Sequence, residues 1–145
     1  MKILTITKSD LNERNEYAAS ESLNFEGHIQ IEADLGTVAF RACLRASGYI
    51  RAFAGSGIKA GSGIEAGWGI EAGDGIKAGL GIEAGLGIAC KNLAVRLRIF
   101  AGLCMWRKPK PEEMEIRAEQ IEGEVCYGTV HLTGEATPES TQEQG

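Results

Sequence analysis

The chain has 145 residues, a length typical of one domain with its own hydrophobic core rather than of two large domains. Its formal net charge of -5 at pH 7 argues against a general polyanion-binding role. The sequence contains no apolar run of about 18 residues, so we expect no membrane-spanning helix.

Residues 1–36 are predicted to form strands and a cap at the N-terminal end of the fold. The first residues, MKILTIT, lack the long apolar core and the small-residue cleavage site of a secretory signal, so we expect a cytoplasmic protein. Residues 8–22 are polar and favour either a loop or one short helix. Phe25, Ile29 and Ile31 then alternate with polar residues, a pattern typical of a strand.

A six-residue phrase repeats six times without interruption over residues 55–90, as GSGIKA, GSGIEA, GWGIEA, GDGIKA, GLGIEA and GLGIAC. In each repeat the apolar, charged and small residues follow an in–out–in alternation, which predicts a short strand. The two glycines permit the tight corner that must follow each strand. A helix is disfavoured, because each of these glycines would destabilise it by about 1 kcal/mol. The isoleucine slot holds Ile58, Ile64, Ile70, Ile76, Ile82 and Ile88, and the small-residue slot holds Ala60, Ala66, Ala72, Ala78, Ala84 and Cys90.

Stacked strands and corners of this kind predict an all-β fold, a single-chain β-solenoid built on six-residue repeats in residues 37–90. The solenoid is predicted to begin before the perfect repeats, because Val38, Leu44 and Ile50 keep the six-residue spacing. Two extra residues, Phe53-Ala54, then interrupt this spacing and predict a wider corner.

The number of repeats in one coil stays open. Two repeats per coil would place Lys59 over Glu71, which is slightly favourable, whereas three would place Lys59 over Lys77, which is slightly unfavourable. Most known hexapeptide helices nevertheless have three-sided coils. Neither argument decides the question.

Residues 91–132 are predicted to form strands that pack on the solenoid or cap it. Every second residue over 93–99 is apolar, which indicates a longer strand. A polar connector interrupted by proline covers 107–113, and strand-like alternation resumes over 114–132. Residues 133–145 are polar apart from one alanine and are predicted to form a flexible tail.

The residue between the two glycines varies from repeat to repeat, so most of these side chains are expected to lie outside the tight core. In a coil of two repeats, Trp68 and Leu80 would be neighbours on one edge, and an exposed tryptophan beside a leucine is a candidate anchor for a partner. Alternatively, the C-terminal strands fold back and cover this ridge. The six variable residues are Ser56, Ser62, Trp68, Asp74, Leu80 and Leu86.

Residues 91–110 carry six basic side chains and no acidic one. Such a stretch can follow phosphates, and Trp106 could stack on a base, so nucleic-acid binding is one alternative. Runs of charge are more often solvated faces, and the six glutamates of 112–124 could neutralise the basic residues or meet a basic protein surface. The basic residues are Lys91, Arg96, Arg98, Arg107, Lys108 and Lys110.

Catalysis is poorly supported, because His28 and His131 are the only histidines and neither lies in a catalytic or metal-ligand pattern. The repeated G-x-G lacks the strand–turn–helix setting of a dinucleotide site. We therefore expect no enzymatic activity, no cofactor and no metal site. The cysteines form no C-x-x-C pair and are expected to be small buried apolar side chains in a reducing compartment: Cys43, Cys90, Cys104 and Cys126.

The repeats and the segment that follows them, IACKNLAVRLRIFAG, resemble small phage and prophage proteins that carry GIxAGxGIxAG arrays, over residues 44–107. The resemblance implies an accessory phage function in a bacterial host, such as inhibition of a host defence complex by a protein of the anti-CRISPR type. A second, looser resemblance is to bactofilins, whose β-helical cores read like the IRA, GIKA and GIEA segments and polymerise through their ends. This second resemblance implies a self-assembling scaffold.

The favoured prediction is a non-enzymatic interaction protein that binds a host protein or protein complex through the corner residues and the charged flanks. The alternatives are the self-assembling scaffold, which would make the protein a homo-oligomer, and a nucleic-acid-binding accessory protein. The predicted partner-binding residues are Trp68, Asp74, Leu80, Leu86, Arg96, Arg98, Trp106, Arg107 and Lys108.

Overall fold

The computed structural model describes residues 2–17, 22–104 and 108–132. These residues form an all-β fold whose named strands pair in parallel within two sheets. The predicted flexible tail, 133–145, lies outside the described residues. The named strands are thus parallel, with one isolated antiparallel bridge between Leu11 and Tyr17, and the fold is consistent with a β-helix-like architecture.

The described part of the chain contains 16 strands and two short 3₁₀ helices, Lys8–Asp10 and Pro111–Met114. Among these residues, no helix has the length and apolar character needed to cross a membrane. The strands are β1 Ile3–Ile6, β2 Leu23–Phe25, β3 His28–Ile31, β4 Gly36–Phe40, β5 Leu44–Ala46, β6 Ile50–Ala52, β7 Ser56–Ala60, β8 Gly63–Ala66, β9 Ile70–Ala72, β10 Ile76–Ala78, β11 Gly81–Ala84, β12 Ile88–Ala89, β13 Asn92–Ala101, β14 Glu115–Ala118, β15 Gln120–Tyr127 and β16 Thr129–Leu132.

Neighbouring strands in each sheet are three strands apart in the chain over β3–β12, and two apart at β1-β3, β11-β13, β12-β14 and β14-β16. One sheet has seven strands in the order β1-β3-β6-β9-β12-β14-β16. The other has nine strands; its path runs β2-β5-β8-β11-β13-β10-β7-β4, and β15 pairs with β13 beside this path. Consecutive strands such as β7, β8 and β9 thus pair with β10, β11 and β12 in turn.

The register of the repeats answers the question of their spacing. Ile58 pairs with Ile76 and Ile64 with Ile82, so each strand pairs with the strand three repeats later. The arrangement with two repeats, which the charges slightly favoured, does not occur. Lys59 consequently pairs with Lys77, a contact between like charges on exposed side chains. Exposed contacts of this kind change the free energy of unfolding by only about 0.2–1 kcal/mol. The packing of the core contributes more and therefore determines the register.

The isoleucine and alanine slots form the core, as the alternation predicted. All six repeat isoleucines are at most 1% exposed, and the repeat alanines are buried beside them. The charged residue between them points outward. Burial of one such isoleucine contributes about 1.5–3 kcal/mol, so the stacked isoleucines dominate the stability of this part of the fold.

The longest strand, β13, passes through a corner without turning sharply. Its first half pairs with β10, where Leu93 meets Ile76, and its second half pairs with β11, where Ile99 meets Ile82. The alternation predicted this longer strand but also placed Leu97 in line with the buried residues. Leu97 is instead exposed, because it lies at the corner between the two halves, where the side chain turns away from the core.

The two ends of the fold differ. At the N-terminal end, residues 15–17 bond to the outer edge of β4, where the N–H of Tyr17 donates to the carbonyl oxygen of Ala39 at 2.8 Å, whereas β1 and β2 each pair with one strand only. The side-chain amide of Asn15 donates to the carbonyl oxygens of Leu35 and Thr37 at 2.8 and 2.7 Å. These bonds hold a cover over the end of β4. No comparable segment crosses β15 and β16 within the residues that the structure describes.

Candidate interaction surfaces

The spacing of three repeats distributes the variable corner residues over three separate corners. Backbone N–H groups of one corner donate to carbonyl oxygens of the next: Leu86 to Trp68 at 3.1 Å, Leu80 to Ser62 at 2.7 Å and Asp74 to Ser56 at 3.0 Å. Trp68 and Leu80 therefore lie on different corners. The adjacency that a two-repeat coil would have produced does not exist, and Trp68 has Leu86 as its corner neighbour instead.

Two exposed leucines lie next to each other on the corner of Ser62. Leu80 is 51% exposed and Leu97 is 54% exposed. The N–H of Leu97 donates to the carbonyl oxygen of Leu80 at 3.0 Å, which places the two side chains in consecutive layers. We call this pair the leucine ridge. The described C-terminal strands do not cover the leucine ridge, and β13 itself supplies Leu97.

An open groove of about 480 Å³ lies beside the leucine ridge. The leucine ridge, Cys43 and Phe100 supply its apolar lining, and charged residues from the neighbouring strands supply its other side. Contiguous apolar exposure of this kind is typical of interaction sites. The charged lining residues are Arg45, Glu65, Glu83 and Arg98.

The charges beside the groove follow from the register. Arg45 pairs with Glu65 in an ion pair, whereas Glu65 pairs along the sheet with Glu83, another carboxylate. Burial raises the pKa of Glu83, and the charge of Glu65 and a hydrogen bond to it raise that pKa further. The Arg45 guanidinium partly offsets this rise. Glu83 therefore takes up a proton more readily than an isolated glutamate as the pH falls.

Trp68 belongs to a cluster of aromatic rings on another corner. The ring of the buried residue His28 stacks on Tyr49 with centroids 4.0 Å apart, and Trp68 meets the His28 ring edge-on at 4.9 Å. The Tyr49 N–H donates to Nδ1 of His28 at 3.0 Å. Burial lowers the pKa of His28, with smaller contributions from the N-terminal amine and Arg51. His28 is therefore a neutral support that positions the rings.

The corner of Ser56 and Asp74 is mainly structural. Ser56 is completely buried; its hydroxyl donates to the carbonyl oxygen of Glu32 and accepts from the N–H of Leu35 at 3.0 Å. Asp74, which was predicted as a partner-binding residue, is half-buried on this corner, away from the leucine ridge. Ser56 is thus an exception to the expectation that most variable corner side chains lie outside the core.

The basic residues of the 91–110 segment that the structure describes are exposed. Arg96, Arg98 and Lys108 are exposed, and Arg98 pairs along the sheet with Glu124. Trp106 and Arg107 lie outside the described residues.

The cysteines occupy different environments and form no disulfide among the described residues. Burial raises the pKa of Cys90 to about 12, so its thiol stays protonated and unreactive. Cys43 and Cys104 are half-buried. The expectation of burial is wrong for Cys126, which is exposed because it lies on an outer position of the last layer. In the described part of the chain, no cluster of His, Cys, Asp and Glu is arranged to hold a metal ion.

Two features of these surfaces escaped the sequence analysis. Leu97 was identified only as part of a long strand and not as an exposed residue, and His28 was not connected with Trp68. Both follow from the true spacing: Leu97 falls on the corner of Leu80, and the ring-bearing residues His28, Tyr49 and Trp68 recur once in each layer. Recurrence of aromatic residues at about that interval is the signal that could have identified the cluster.

No family model matches the chain, and neither a curated protein nor a solved structure is similar to it. A function for the chain is therefore inferred from the chemistry of the surfaces described above.

Proposed function

We propose that the chain is a three-sided β-solenoid built on six-residue repeats, and that it acts without catalysis by binding another protein through the leucine ridge. The register of the repeat strands and the buried isoleucine column support the solenoid. Strands at both ends of the chain pair with the repeat strands and extend their sheets. Such a body presents its corners in fixed positions.

The observation that carries the binding proposal is the exposure of Leu80 and Leu97 on adjacent layers. Covering one leucine with a partner contributes about 1.5–3 kcal/mol. Both leucines are attached to backbone that is already ordered by sheet hydrogen bonds, so little further conformational entropy is lost on binding. Two neighbouring leucines on a rigid support are therefore an efficient anchor.

Charged groups border this anchor and favour a particular orientation of the partner. Arg96 and Arg98 flank Leu97 on β13 and are exposed. Charges at the rim of an interface contribute more to association rate and specificity than to affinity. Trp68 and Leu86 form a second proposed contact on their own corner, and Asp74 and Lys108 are proposed contacts away from the ridge.

The proposed partner is a cytoplasmic protein or protein complex of a bacterial host, and the proposed action is inhibition of a defence complex in the manner of anti-CRISPR proteins. The resemblance of residues 44–107 to phage proteins with GIxAGxG arrays supports this choice. A rigid body that covers a protein surface can inhibit without any chemistry of its own. The groove beside the leucine ridge offers room for a side chain of the partner.

Affinity capture from bacterial lysate with the L80Q/L97Q double variant tests the proposal. We expect the variant to lose the proteins that the natural chain retains, and calorimetry with the purified partner to show at least about tenfold weaker binding. The matched control is I3Q, which changes a leucine-sized side chain that is 53% exposed at the N-terminal end. Unchanged capture by the double variant, with its β-type circular dichroism intact, would show that the leucine ridge is not the binding site.

A further inference from the structure

His28 is a buried histidine to which the proposed binding function gives no role. Its side chain is only 8% exposed, and its ring contacts two partly exposed rings: it stacks on Tyr49 at 4.0 Å and meets Trp68 edge-on at 4.9 Å. The close approach needs Gly48, because a Cβ at that position would collide with Nδ1 of His28. A titratable group is thus built into a fixed aromatic contact.

The hydrogen bond that His28 accepts requires the neutral ring. Nδ1 accepts from the N–H of Tyr49 at 3.0 Å, so Nδ1 carries no hydrogen of its own and the ring hydrogen lies on Nε2. A proton added to Nδ1 would point at the Tyr49 N–H, and two donors cannot form a hydrogen bond with each other. Protonation of His28 and its bond to Tyr49 therefore exclude each other.

The charged groups around His28 do not compensate a positive ring. Burial opposes protonation most strongly, and the N-terminal amine and Arg51 oppose it further, so the pKa of His28 lies below its ordinary value of 6.5. Lys2 also lies beside His28, since its carbonyl oxygen accepts from the His28 N–H at 2.9 Å. Of the nearby carboxylates, Glu26 is exposed in the turn before β3, and Glu71 on β9 accepts from Arg51.

His28 lies on the outer side of β3, away from the isoleucine column. Ile29 and Ile31 are completely buried, and side chains alternate along a strand, so the ring of His28 points outward. His28 also pairs along the sheet with Ile3 of β1, which is 53% exposed. Loss of the contacts of His28 therefore loosens the aromatic rings on this corner and leaves the core layers in place.

From these observations we propose that His28 is an acid-sensitive latch for the aromatic corner, the surface formed by Tyr49 and Trp68. As the pH falls, Nδ1 of His28 takes up a proton from solvent, the hydrogen bond from Tyr49 is lost, and the two rings separate from the histidine. At neutral pH the latch holds Trp68 beside Leu86, its neighbour in the next layer. Acid thus disrupts the second contact of the proposed function and leaves the leucine ridge in place. The latch itself is a property of the chain alone and does not require that function.

Nuclear magnetic resonance of the full chain between about pH 7 and pH 4 tests the latch. The His28 ring should titrate below 6.5. Over the range in which the ring titrates, the protection factor of the Tyr49 amide against hydrogen exchange should fall about fivefold, the ratio expected for the net loss of one hydrogen bond. The indole signal of Trp68 should shift over the same range.

The test variant is H28N, because an asparagine amide oxygen can accept from the Tyr49 N–H but does not titrate. In H28N the pH dependence of the Tyr49 and Trp68 signals should disappear. The matched control is H131N, which removes the other histidine of the chain, an exposed residue of β16, and should keep that pH dependence.

A constant protection factor for Tyr49 while His28 titrates would overturn the latch, as would the natural pH dependence in H28N. A His28 ring that takes up no proton before the chain unfolds would also overturn it. Equal loss of protection in β8 and β11 would show that acid unfolds the layers together and does not release one corner. If H28N does not fold, the ring and amide signals of the natural chain still decide among these outcomes. None of these measurements uses a partner, so failure of the latch and failure of the leucine ridge are distinguishable.

Discussion

In the repeat array, residues 55–90, every strand pairs with the strand three repeats away, whereas in the C-terminal region, residues 91–132, the spacing changes from one pair to the next. Ile76 pairs with Leu93 after a shortened interval, and Ile88 pairs with Ile116 after a much longer one. In the array any layer can replace any other, so repetition defines the register. In the C-terminal region the register depends on particular side chains and on how the connecting segment is folded.

The largest expected effect separates the closed core of the array from the open end. Ile70 is completely buried, and Ile70→Ala should destabilise the fold by about 2–5 kcal/mol because it leaves a cavity that the sheets cannot close. Ile121 is half-buried in the last layer, so Ile121→Ala should cost about 1 kcal/mol. Urea unfolding of both variants measures the difference. Equal losses of unfolding free energy would mean that Ile121 is as well buried in solution as Ile70.

A smaller effect is expected at the corners. A Cβ at Gly79 would collide with the carbonyl oxygen of Gly61 in the preceding layer, so Gly79→Ala should destabilise the fold by about 1–3 kcal/mol. A Cβ at Gly63 would have its nearest neighbour at 3.4 Å, and Gly63→Ala should be nearly neutral. Thermal melting followed by circular dichroism compares the two. Similar melting temperatures would show that the layers can separate enough to admit a side chain.

The smallest effect concerns the like charges that repetition brings together. Because the pKa of Glu83 is raised above its ordinary value of 4.5, the folded state binds this proton more tightly than the unfolded state. Glu83 therefore lowers stability above its raised pKa, and the loss disappears as the pH falls toward 4.5. Glu83→Gln should raise stability at pH 7 by a few tenths of a kcal/mol and reduce the stability difference between pH 7 and pH 5.

Glu71→Gln is the matched control for this charge effect. Glu71 accepts from Nε of Arg51 at 3.1 Å, so its neutralisation removes a favourable pair and should lower stability slightly. Denaturant unfolding at pH 5 and pH 7 distinguishes the two variants. If both changes had the same sign, net charge and not the local pairing would control the stability.

The sequence was sufficient to predict the buried and exposed positions of the array, because the alternation of isoleucine, charge and alanine has one physical interpretation in a strand. It did not determine the spacing, since two or three repeats per layer place identical residues inside. The two arrangements differ only in which exposed charges become neighbours, and the observed arrangement places Lys59 beside Lys77. The small energies of exposed charges therefore could not decide between the two arrangements.

The candidate site depended on that undetermined spacing. Trp68 and Leu80 were paired in the two-repeat arrangement, and the three-repeat arrangement replaces that pair with Leu80 and Leu97. The exposure of Leu97 could not be predicted, because the apolar–polar alternation of β13 continues unbroken through a corner. No local pattern in a strand reports where a sheet bends, so this residue became visible only with the pairing of β13 to both β10 and β11.

The interval of three repeats also determines how such a gene can change in length. In the proposed solenoid, gain or loss of three repeats adds or removes one whole layer, and every downstream side chain keeps its direction. Gain or loss of a single repeat rotates the downstream part by about a third of a turn relative to the upstream part, so that Leu97 would no longer continue the line of Leu80. Replication errors that add or remove 18 nucleotides, one repeat, thus mostly disrupt the alignment of the corners. Errors of 54 nucleotides, three repeats, keep that alignment and change only the distance between the two ends.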